Sequence, residues 1–252
     1  MKKIAILSDI HGNLAALEKV VEDINTRQVD CVFNLGDHIS GPLWPKETLE
    51  YLKRQDWIHI LGNHDRQLIN QSPGKHNASD MYAYQQLNES ELNWLRKLPT
   101  RQTFDNIFLL FHGSPETDIS YLLETVEHGR QRLASKAELS TRLKDSRFPI
   151  ILCGHTHVPR VVEWSPDTTI VNPGSVGLQA YEDDRPEYHI METGSHHARY
   201  AIMELRNDDR WHPELISVPY DFRKAANQAR KNDRPEWAHA ILTGYMQPRE
   251  CE

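Results

Sequence analysis

The first quarter of the chain alternates short apolar runs with segments in which apolar residues recur at helical spacing. Runs at residues 3–8, 31–35 and 57–61 predict strands, each ending at a polar or Gly-containing loop. Helices are predicted after Asn13 and over residues 46–53 after Pro45, because Asn suits an N-cap and Pro suits the first helical turn. This alternation favours a mainly parallel sheet covered by helices, in which sites gather beyond the carboxyl ends of the strands.

The rest of the chain predicts more successive strands. We expect two helices within residues 78–98 and another over 129–144. Strands are expected at residues 103–111, 150–153, 159–164, 168–171, 188–192, 199–205 and 211–218. Hairpin-like turns between several of them favour a second, largely antiparallel sheet that faces the first, with helices outside. Residues 221–244 predict one or two helices packed on the edge of this body.

Five polar clusters stand where predicted strands give way to Gly-containing loops. They are Asp9-Ile10-His11-Gly12, Gly36-Asp37, Gly62-Asn63-His64-Asp65, His112-Gly113 and Gly154-His155-Thr156-His157. Asp, Asn and His without Cys are the ligand set that binds two hard-to-borderline divalent cations side by side. Since the clusters run from residue 9 to residue 157, we expect one domain over residues 1–252, with 221–244 as a C-terminal helical extension.

Spacing within the clusters supports this interpretation. Asp9 and His11 are two residues apart, as are His155 and His157, so on extended backbone each pair points to one side. Each cluster also has a structural alternative. Asp-x-His is common, Gly-Asp suits a turn at the end of a strand, and a lone His such as His112 is often a structural residue. Complementary ligands at several strand ends in one order favour the joint metal site over these separate alternatives.

The third cluster combines three kinds of chemistry. The amide oxygen of Asn63 can ligate a metal, His64 can donate a proton near neutral pH, and the carboxylate of Asp65 can orient that imidazole. A turn with Asn in the left-handed conformation is the structural alternative.

Composition limits the partners. The formal net charge of the 252 residues is −7 at pH 7, which argues against a nucleic-acid polymer and leaves small phosphate substrates. The apolar runs are far shorter than the roughly 20 residues of a membrane span, and the first run stops too early for a secretory signal. Cys31, Cys153 and Cys251 show no paired spacing, and we expect the first two to be buried in strands. We therefore expect a cytoplasmic protein without a membrane partner, and the sequence indicates no oligomeric state.

The five clusters, in this order, resemble the blocks of the calcineurin-like metallophosphoesterase superfamily: Asp-x-His, Gly-Asp, Gly-Asn-His-Asp/Glu, His and Gly-His-x-His. The resemblance covers about residues 3–177, including Asn172-Pro173-Gly174-Ser175. Within the superfamily, the chain is most similar to compact bacterial phosphoesterases, because it contains the segments Ser8-Asp9-Ile10-His11-Gly12-Asn13 and Gly41-Pro42. The fold it implies is α/β, a four-layer α/β/β/α sandwich of two mixed β-sheets flanked by helices.

The resemblance also implies a role for each site residue. Asp9, His11 and His157 hold one metal, and Asn63, His112 and His155 hold the other. Asp37 bridges the two. His64 is not a ligand but lies over the scissile phosphate, with Asp65 behind it. The cofactors are two divalent ions, for which we expect manganese, with iron, nickel, cobalt or zinc as alternatives.

The function that follows is a dinuclear metal-dependent phosphoesterase acting on a small, nucleotide-like phosphodiester or phosphomonoester. Two cations roughly 4 Å apart clamp a phosphate and lower the pKa of a shared water, which attacks phosphorus in line. After Gly36-Asp37 the chain reads His38-Ile39-Ser40-Gly41-Pro42, without the Asp-Arg-Gly continuation typical of phosphoprotein phosphatases. We therefore expect a phosphodiesterase before a protein phosphatase.

Two other functions stay open at this stage. The first is a non-catalytic scaffold that keeps the fold for protein binding, although the intact His64 argues against it. The second is an amidohydrolase-like metal enzyme on a barrel, although such enzymes open with His-x-His. Outside the five clusters, we expect His38 not to be a ligand, Trp44 and Tyr181 to pack and not to stack on a base, and Arg66 not to contact phosphate.

Overall fold

A computed structural model describes residues 2–247 of the chain. Its strands are β1 (Lys2–Leu7), β2 (Cys31–Asn34), β3 (Ile58–His59), β4 (Arg101–Phe104), β5 (Phe108–Phe111), β6 (Glu124–Glu127), β7 (Arg130–Leu133), β8 (Ile150–Leu152), β9 (Arg160–Ser165), β10 (Thr168–Asn172), β11 (Ala180–Asp183), β12 (His189–Glu192), β13 (Ala198–Leu205) and β14 (Trp211–Val218). Its helices are α1 (Leu14–Thr26), α2 (Pro45–Leu52), α3 (Asn63–Asn70), α4 (Ala78–Gln86), α5 (Glu89–Leu95), α6 (Lys136–Leu143), α7 (Phe222–Lys231) and α8 (Pro235–Thr243), with a 3₁₀ turn at Pro73–Lys75.

The first sheet has the strand order β14-β13-β1-β2-β3. Its β1–β2 and β2–β3 pairs are parallel, as the early alternation predicted, whereas β13 pairs antiparallel with both β1 and β14. The assignment of the last two strands to the second sheet was therefore wrong. The physical reason is that β13 carries apolar residues on both faces, with Tyr200 and Ile202 on one and Ala201 and Met203 on the other. Such a strand needs a sheet covered on both sides, and pairing along β1 places Ala201 and Met203 in the layer between the two sheets and Tyr200 and Ile202 in the layer under α1.

The second sheet has the order β4-β5-β8-β10-β9 and is mixed, not largely antiparallel. Its inner pairs, β5–β8 and β8–β10, are parallel, and its outer pairs are antiparallel. The single strand predicted at 103–111 is a hairpin, because Asp105 and Asn106 adopt positive φ and turn the chain.

The two sheets pack face to face and place helices outside, which confirms the sandwich. Ile4 and Ile6 alternate with Ala5 and Leu7 along β1, so the first pair faces the second sheet and the second pair faces α1. Between the sheets, the ring of Phe33 meets Phe108 edge-on at 5.6 Å. Helices α1, α7 and α8 cover the first sheet and α6 covers the second.

The helix predictions were correct in part. Helices α4 and α5 fill the region 78–98, and the tail forms α7 and α8, whose buried residues join the core beside α1. The helix predicted over 129–144 was wrong in its first half: β7 pairs with β6 through a turn at His128-Gly129, and α6 begins only at Lys136. Ser135 and Glu138 form a capping box there, which sets the start of the helix.

Two smaller expectations concern cysteines and membranes. Cys153 is buried, Cys31 is only half-buried, and Cys251 lies outside the described residues. Among residues 2–247, none of the helices is both long and apolar enough to cross a bilayer.

Candidate metal centre and its pocket

The loops that follow β1, β2, β3, β5 and β8 meet at one edge of the sandwich. Backbone hydrogen bonds tie them together: Asp9 N–H donates to Gly36 O at 3.0 Å, and Gly154 N–H donates to His112 O at 2.7 Å. Residues 172–175 hydrogen-bond to two of these loops: Ser175 Oγ donates to Asp9 O, and Asn172 Nδ2 donates to Gly154 O. Each loop therefore delivers its polar side chain to a common point.

Two groups of three side chains at this point have the geometry of metal ligands. Within each group the candidate ligand atoms lie within 4.8 Å of one another, and all six residues are buried. The groups are Asp9, His11 and His157, and Asp37, His112 and His155. They are contiguous, because His112 Nε2 is 3.2 Å from Asp37 Oδ2 and 3.8 Å from Asp9 Oδ1.

Hydrogen bonds to carbonyl groups fix the tautomer of three of these histidines. His11 Nδ1–H donates to Ser40 O at 2.8 Å, His112 Nδ1–H to Leu35 O at 2.7 Å, and His157 Nδ1–H to Leu178 O at 2.7 Å. Because a carbonyl can only accept, Nδ1 carries a proton in each ring, and Nε2 is the nitrogen that faces the centre of the cluster. This arrangement is the one by which proteins orient metal-ligating imidazoles.

The cluster also contains contacts that a cation would resolve. His11 Nε2 and His157 Nε2 face each other at 3.1 Å, although their tautomers direct a lone pair from each ring into the gap. Asp9 Oδ1 is buried without a hydrogen-bond partner among the described residues. Buried lone pairs and unpaired carboxylate oxygens are unfavourable. The donor set therefore fits divalent cations.

Local backbone strain is concentrated on the same residues. Asp9, His11, Asp37, His155 and His157 all adopt φ between 51° and 69°. Non-glycine residues in this region cost of order 1–3 kcal/mol each and persist where the surroundings over-determine them. Five strained positions in one cluster indicate that the direction in which the ligand side chains must point determines the path of these loops, at a cost in backbone conformational energy.

Asn63 joins the second group at the first position of α3. Its Oδ1 lies 3.0 Å from His112 Nε2, so its amide oxygen points into the cluster as predicted for a ligand. The preceding Gly62 lets Asp37 lie against the start of α3, because a Cβ there would lie 2.2 Å from Asp37 Oδ1. All seven predicted ligands therefore converge.

His64 lies beside the cluster without being part of either group. Its backbone N–H donates to Asp37 Oδ1 at 2.9 Å, its ring Nδ1 lies 2.9 Å from Asp80 Oδ1, and its side chain is 28% exposed to the pocket. Burial opposes protonation, but the carboxylates of Asp37 and Asp80 overcome it and raise the pKa of His64 to about 9. The imidazole is therefore held as a proton donor that faces the pocket.

Asp65 does not contact His64 in the way that the sequence suggested. Its carboxylate accepts hydrogen bonds from the backbone N–H groups of Asp37, His38 and Gly62 and from His38 Nδ1. The reason is helical geometry: consecutive side chains in α3 diverge by about 100°, and an acidic residue at the third position turns back to cap the helix. Asp65 ties the second and third loops together.

Asp80 is the carboxylate that the sequence analysis missed. Besides His64 it binds Ser40 Oγ and Asn77 Nδ2, and its own N–H donates to Asn77 Oδ1. The sequence contains an Asn77-x-x-Asp80 pattern that predicts only the start of α4. The contact to His64 depends on how α4 packs against α3, so no local signal could have identified it.

Three of the ligands carry the protonation states that metals need, whereas His112 does not: burial opposes its protonation, but the carboxylate of Asp37 raises the pKa of His112 to about 10, so a cation has to displace a proton there. Burial lowers the pKa of His11 to about 4 and that of His155 to about 3, so both imidazoles are neutral at neutral pH. Burial opposes ionisation of Asp37, but the neighbouring His112 and His64 hold its pKa well below the ordinary value. Neutral imidazoles and ionised carboxylates are the ligand forms that bind divalent ions.

A cavity of about 570 Å³ opens above the cluster. One wall comes from α3, the 3₁₀ turn and the start of α4, a second from the β11–β12 hairpin, and a third from α8. Representative lining residues on these walls are Lys75, Asn77, Tyr181, Arg185, Arg234 and Trp237. The C-terminal extension therefore forms part of the site.

The remaining sequence candidates lie as follows. His38 is buried between Asp65 and His59 and outside both ligand groups. Arg66 pairs with Asp118, and Trp44 lies against Lys224, away from the cavity lining. Tyr181 does line the cavity, packing its ring 4.7 Å from that of His157.

Known proteins resemble this chain in sequence. The family model of the calcineurin-like phosphoesterase superfamily domain matches residues 1–196. The chain is 26% identical over 260 residues to an uncharacterised protein of Methanocaldococcus jannaschii (93% of this chain, 94% of that one). It is 25% identical over 202 residues to a phosphodiesterase of the same organism (80% and 99%).

Solved structures agree. A metallophosphoesterase from Sphaerobacter thermophilus superimposes with a TM-score of 0.74 at 27% identity, covering 96% of this chain and 99% of that one. A hypothetical protein from Pyrococcus horikoshii gives 0.76 at 18% identity, covering 99% and 100%, and shows the same fold.

Proposed function

This chain belongs to the calcineurin-like phosphoesterase superfamily, and we propose that it hydrolyses a small, nucleotide-like phosphodiester or phosphomonoester with the help of two divalent metal ions. The observation that carries the proposal is the convergence of seven Asp, Asn and His side chains, three of them imidazoles with Nε2 turned inward, at the floor of a 570 Å³ cavity. The relationship to a phosphodiesterase supports a diester before a protein phosphate.

The ligand groups correspond to two adjacent metal positions. Asp9, His11 and His157 would hold one ion, Asn63, His112 and His155 the other, and Asp37 both. When bound, such ions polarise phosphate oxygens and lower the pKa of water, so that a nucleophile exists at neutral pH. Manganese is the first candidate, and iron, nickel, cobalt and zinc suit the same donors.

His64 supplies the proton for the leaving group. Asp80 accepts from Nδ1–H, which leaves the protonated Nε2 free to face the cavity. As the bond between phosphorus and the leaving oxygen breaks, His64 donates that proton to the departing oxygen and returns to the neutral form. Asp80 keeps the ring in one tautomer and one orientation throughout, which is the role that Asp65 had in the sequence-based hypothesis.

The cavity limits the size of the substrate. About 570 Å³ accommodates a nucleotide-sized ligand, and the three walls around the cluster leave little room for a folded protein surface. These features argue against the scaffold hypothesis, since a protein-binding surface needs neither a preformed cluster of metal ligands nor a histidine held by a buried carboxylate. The barrel hypothesis was wrong, because the two five-stranded sheets formed by the described residues are both open.

The direct test uses purified protein stripped of metal and reloaded separately with Mn²⁺, Ni²⁺, Co²⁺ or Zn²⁺. We expect turnover of bis(p-nitrophenyl) phosphate or p-nitrophenyl phosphate with at least one ion and none after chelation. Failure of every ion to support either reaction would overturn the proposal and leave the scaffold.

A further inference from the structure

Two cations stand on one side of the cavity, outside the metal ligands. Arg234, at the start of α8, donates from Nη1 to Ser79 Oγ at 3.0 Å and from Nε to Glu236. Its guanidinium lies 5.6 Å from the ring of Trp237. Lys75, on the exposed 3₁₀ turn, lines the same cavity. Arg234 is therefore fixed in place, and Lys75 extends from the rim.

The contacts of Arg234 locate this side relative to the proposed chemistry. Ser79 precedes Asp80, whose carboxylate holds His64. Asn77, two residues after Lys75, also binds Asp80. Arg234 and Lys75 thus lie on the wall of the cavity that carries Asp80, beside His64, and a leaving group that reaches His64 would extend along this wall.

The guanidinium of Arg234 keeps one hydrogen-bond donor that a ligand can use. Only Nε and Nη1 donate to partners within the described residues, and Nη2 makes no hydrogen bond there. The side chain is 19% exposed and lines the cavity, so this donor is open to a ligand there. A planar, oriented guanidinium matches the paired oxygens of a phosphate or carboxylate, and contact with an aromatic ring holds it in place.

Helix α8 makes this position rigid. Ala238, Ala240 and Ile241 are buried in the core against the first sheet, so the start of the helix cannot move freely. Trp237 also packs edge-on against His11, with ring centroids 5.9 Å apart. The arginine is therefore placed by the same packing that covers the metal cluster.

We propose that Arg234, assisted by Lys75, forms an anion-binding subsite for the leaving group, so that the substrate carries a second anionic group, a phosphate or carboxylate, beyond the bond that breaks. This rests on the proposed function. A nucleotide joined through its sugar oxygen or a phosphoanhydride has this chemistry, whereas an ester of a neutral alcohol lacks it.

The test compares two non-hydrolysable probes, phenylphosphonate and 4-carboxyphenylphosphonate, which differ only in a charge on the group that mimics the leaving side. Binding to the Mn²⁺-loaded protein is measured by calorimetry. We expect the carboxylated probe to bind about tenfold more tightly, since a charge-assisted hydrogen bond is worth roughly that factor.

Variants assign the preference to Arg234. Arg234→Gln should lose most of the preference, with a remainder due to Lys75, and Arg234→Lys should keep a larger part because it keeps the charge. Arg230→Gln is the matched control, since it removes the same charge from an exposed position on the neighbouring α7. Melting curves of each variant verify that α8 still packs.

Failure of the anion subsite and failure of the phosphoesterase site give different results. Equal binding of the two probes to the unmodified protein would overturn the subsite, as would an undiminished preference in folded Arg234→Gln. Absence of metal-dependent binding of phenylphosphonate itself would count against the phosphoesterase site instead.

Discussion

The floor and the walls of the cavity are built in opposite ways. The floor consists of buried side chains on loops that directly follow strands, cross-linked by backbone hydrogen bonds and held in strained conformations. The walls consist of half-buried or exposed side chains on helices, a 3₁₀ turn and a hairpin that come from distant parts of the chain. We infer from this difference that the floor carries out catalysis and that the walls select the substrate. Substitutions in each region test this inference.

The largest expected effect is on the floor, at Asp37. Asp37→Asn replaces the carboxylate shared by both ligand groups with a neutral amide, which removes charge where two cations are expected. We predict a more than about 100-fold loss of metal affinity and loss of turnover, measured by elemental analysis and by hydrolysis of bis(p-nitrophenyl) phosphate. Asp208→Asn, at an exposed hairpin position, is the control. Retention of both metals by Asp37→Asn would contradict its bridging role.

His64 lies at the boundary between floor and walls. His64→Ala should retain metal, measured by elemental analysis, but lower turnover of phenyl esters, whose leaving oxygen needs a proton, by about a thousandfold, within the range that general acid–base catalysis contributes. His212→Ala, which removes an imidazole paired with Asp208 far along the chain, should change neither quantity. If His64→Ala lost as much metal as Asp37→Asn, its assignment as a non-ligand would fail.

Asp65 tests whether the floor is also a structural unit. Asp65→Asn replaces a buried acceptor of three backbone N–H groups and a histidine with a group that presents its own N–H donors. We predict a loss of about 2–3 kcal/mol in the free energy of unfolding, measured by urea denaturation in the presence of chelator. A stability equal to that of the unmodified protein would show that these hydrogen bonds are not needed to join the loops.

Asp80 should give the smallest effect, and one that depends on the substrate. Asp80→Asn weakens the orientation of His64, so turnover of phenyl esters, which need a protonated leaving oxygen, should fall about tenfold. Turnover of p-nitrophenyl esters, whose leaving group departs readily as an anion, should change little. An equal loss with both leaving groups would indicate a purely structural role.

Most of the floor could be predicted from sequence because each ligand follows a strand, and the carboxyl ends of parallel strands meet. Asp9, Asp37 and His112 therefore converged as expected. The partner of His64 could not be predicted, since Asp80 reaches it through the packing of α4. The contribution of Arg234 to the cavity could not be predicted either, because the local sequence pattern identifies this residue only as the start of a helix.

The fold shows a similar division. Periodicity predicted the parallel strands β1 and β2, but not the sheet to which β13 belongs, because an apolar run does not reveal its neighbour. Residues 129–144 contain both hairpin and helix, and the turn at His128-Gly129 outweighed the helical spacing that followed.

The position of β13 has a consequence for any attempt to shorten the protein. The family match ends at residue 196, just before this strand begins, yet β13 is hydrogen-bonded along β1 from Lys2 to Ile6. Trimming the chain to the matched span would strip β1 of its antiparallel neighbour and leave an open, apolar border, the kind of surface that recruits other chains. The matched segment alone should therefore precipitate or self-associate.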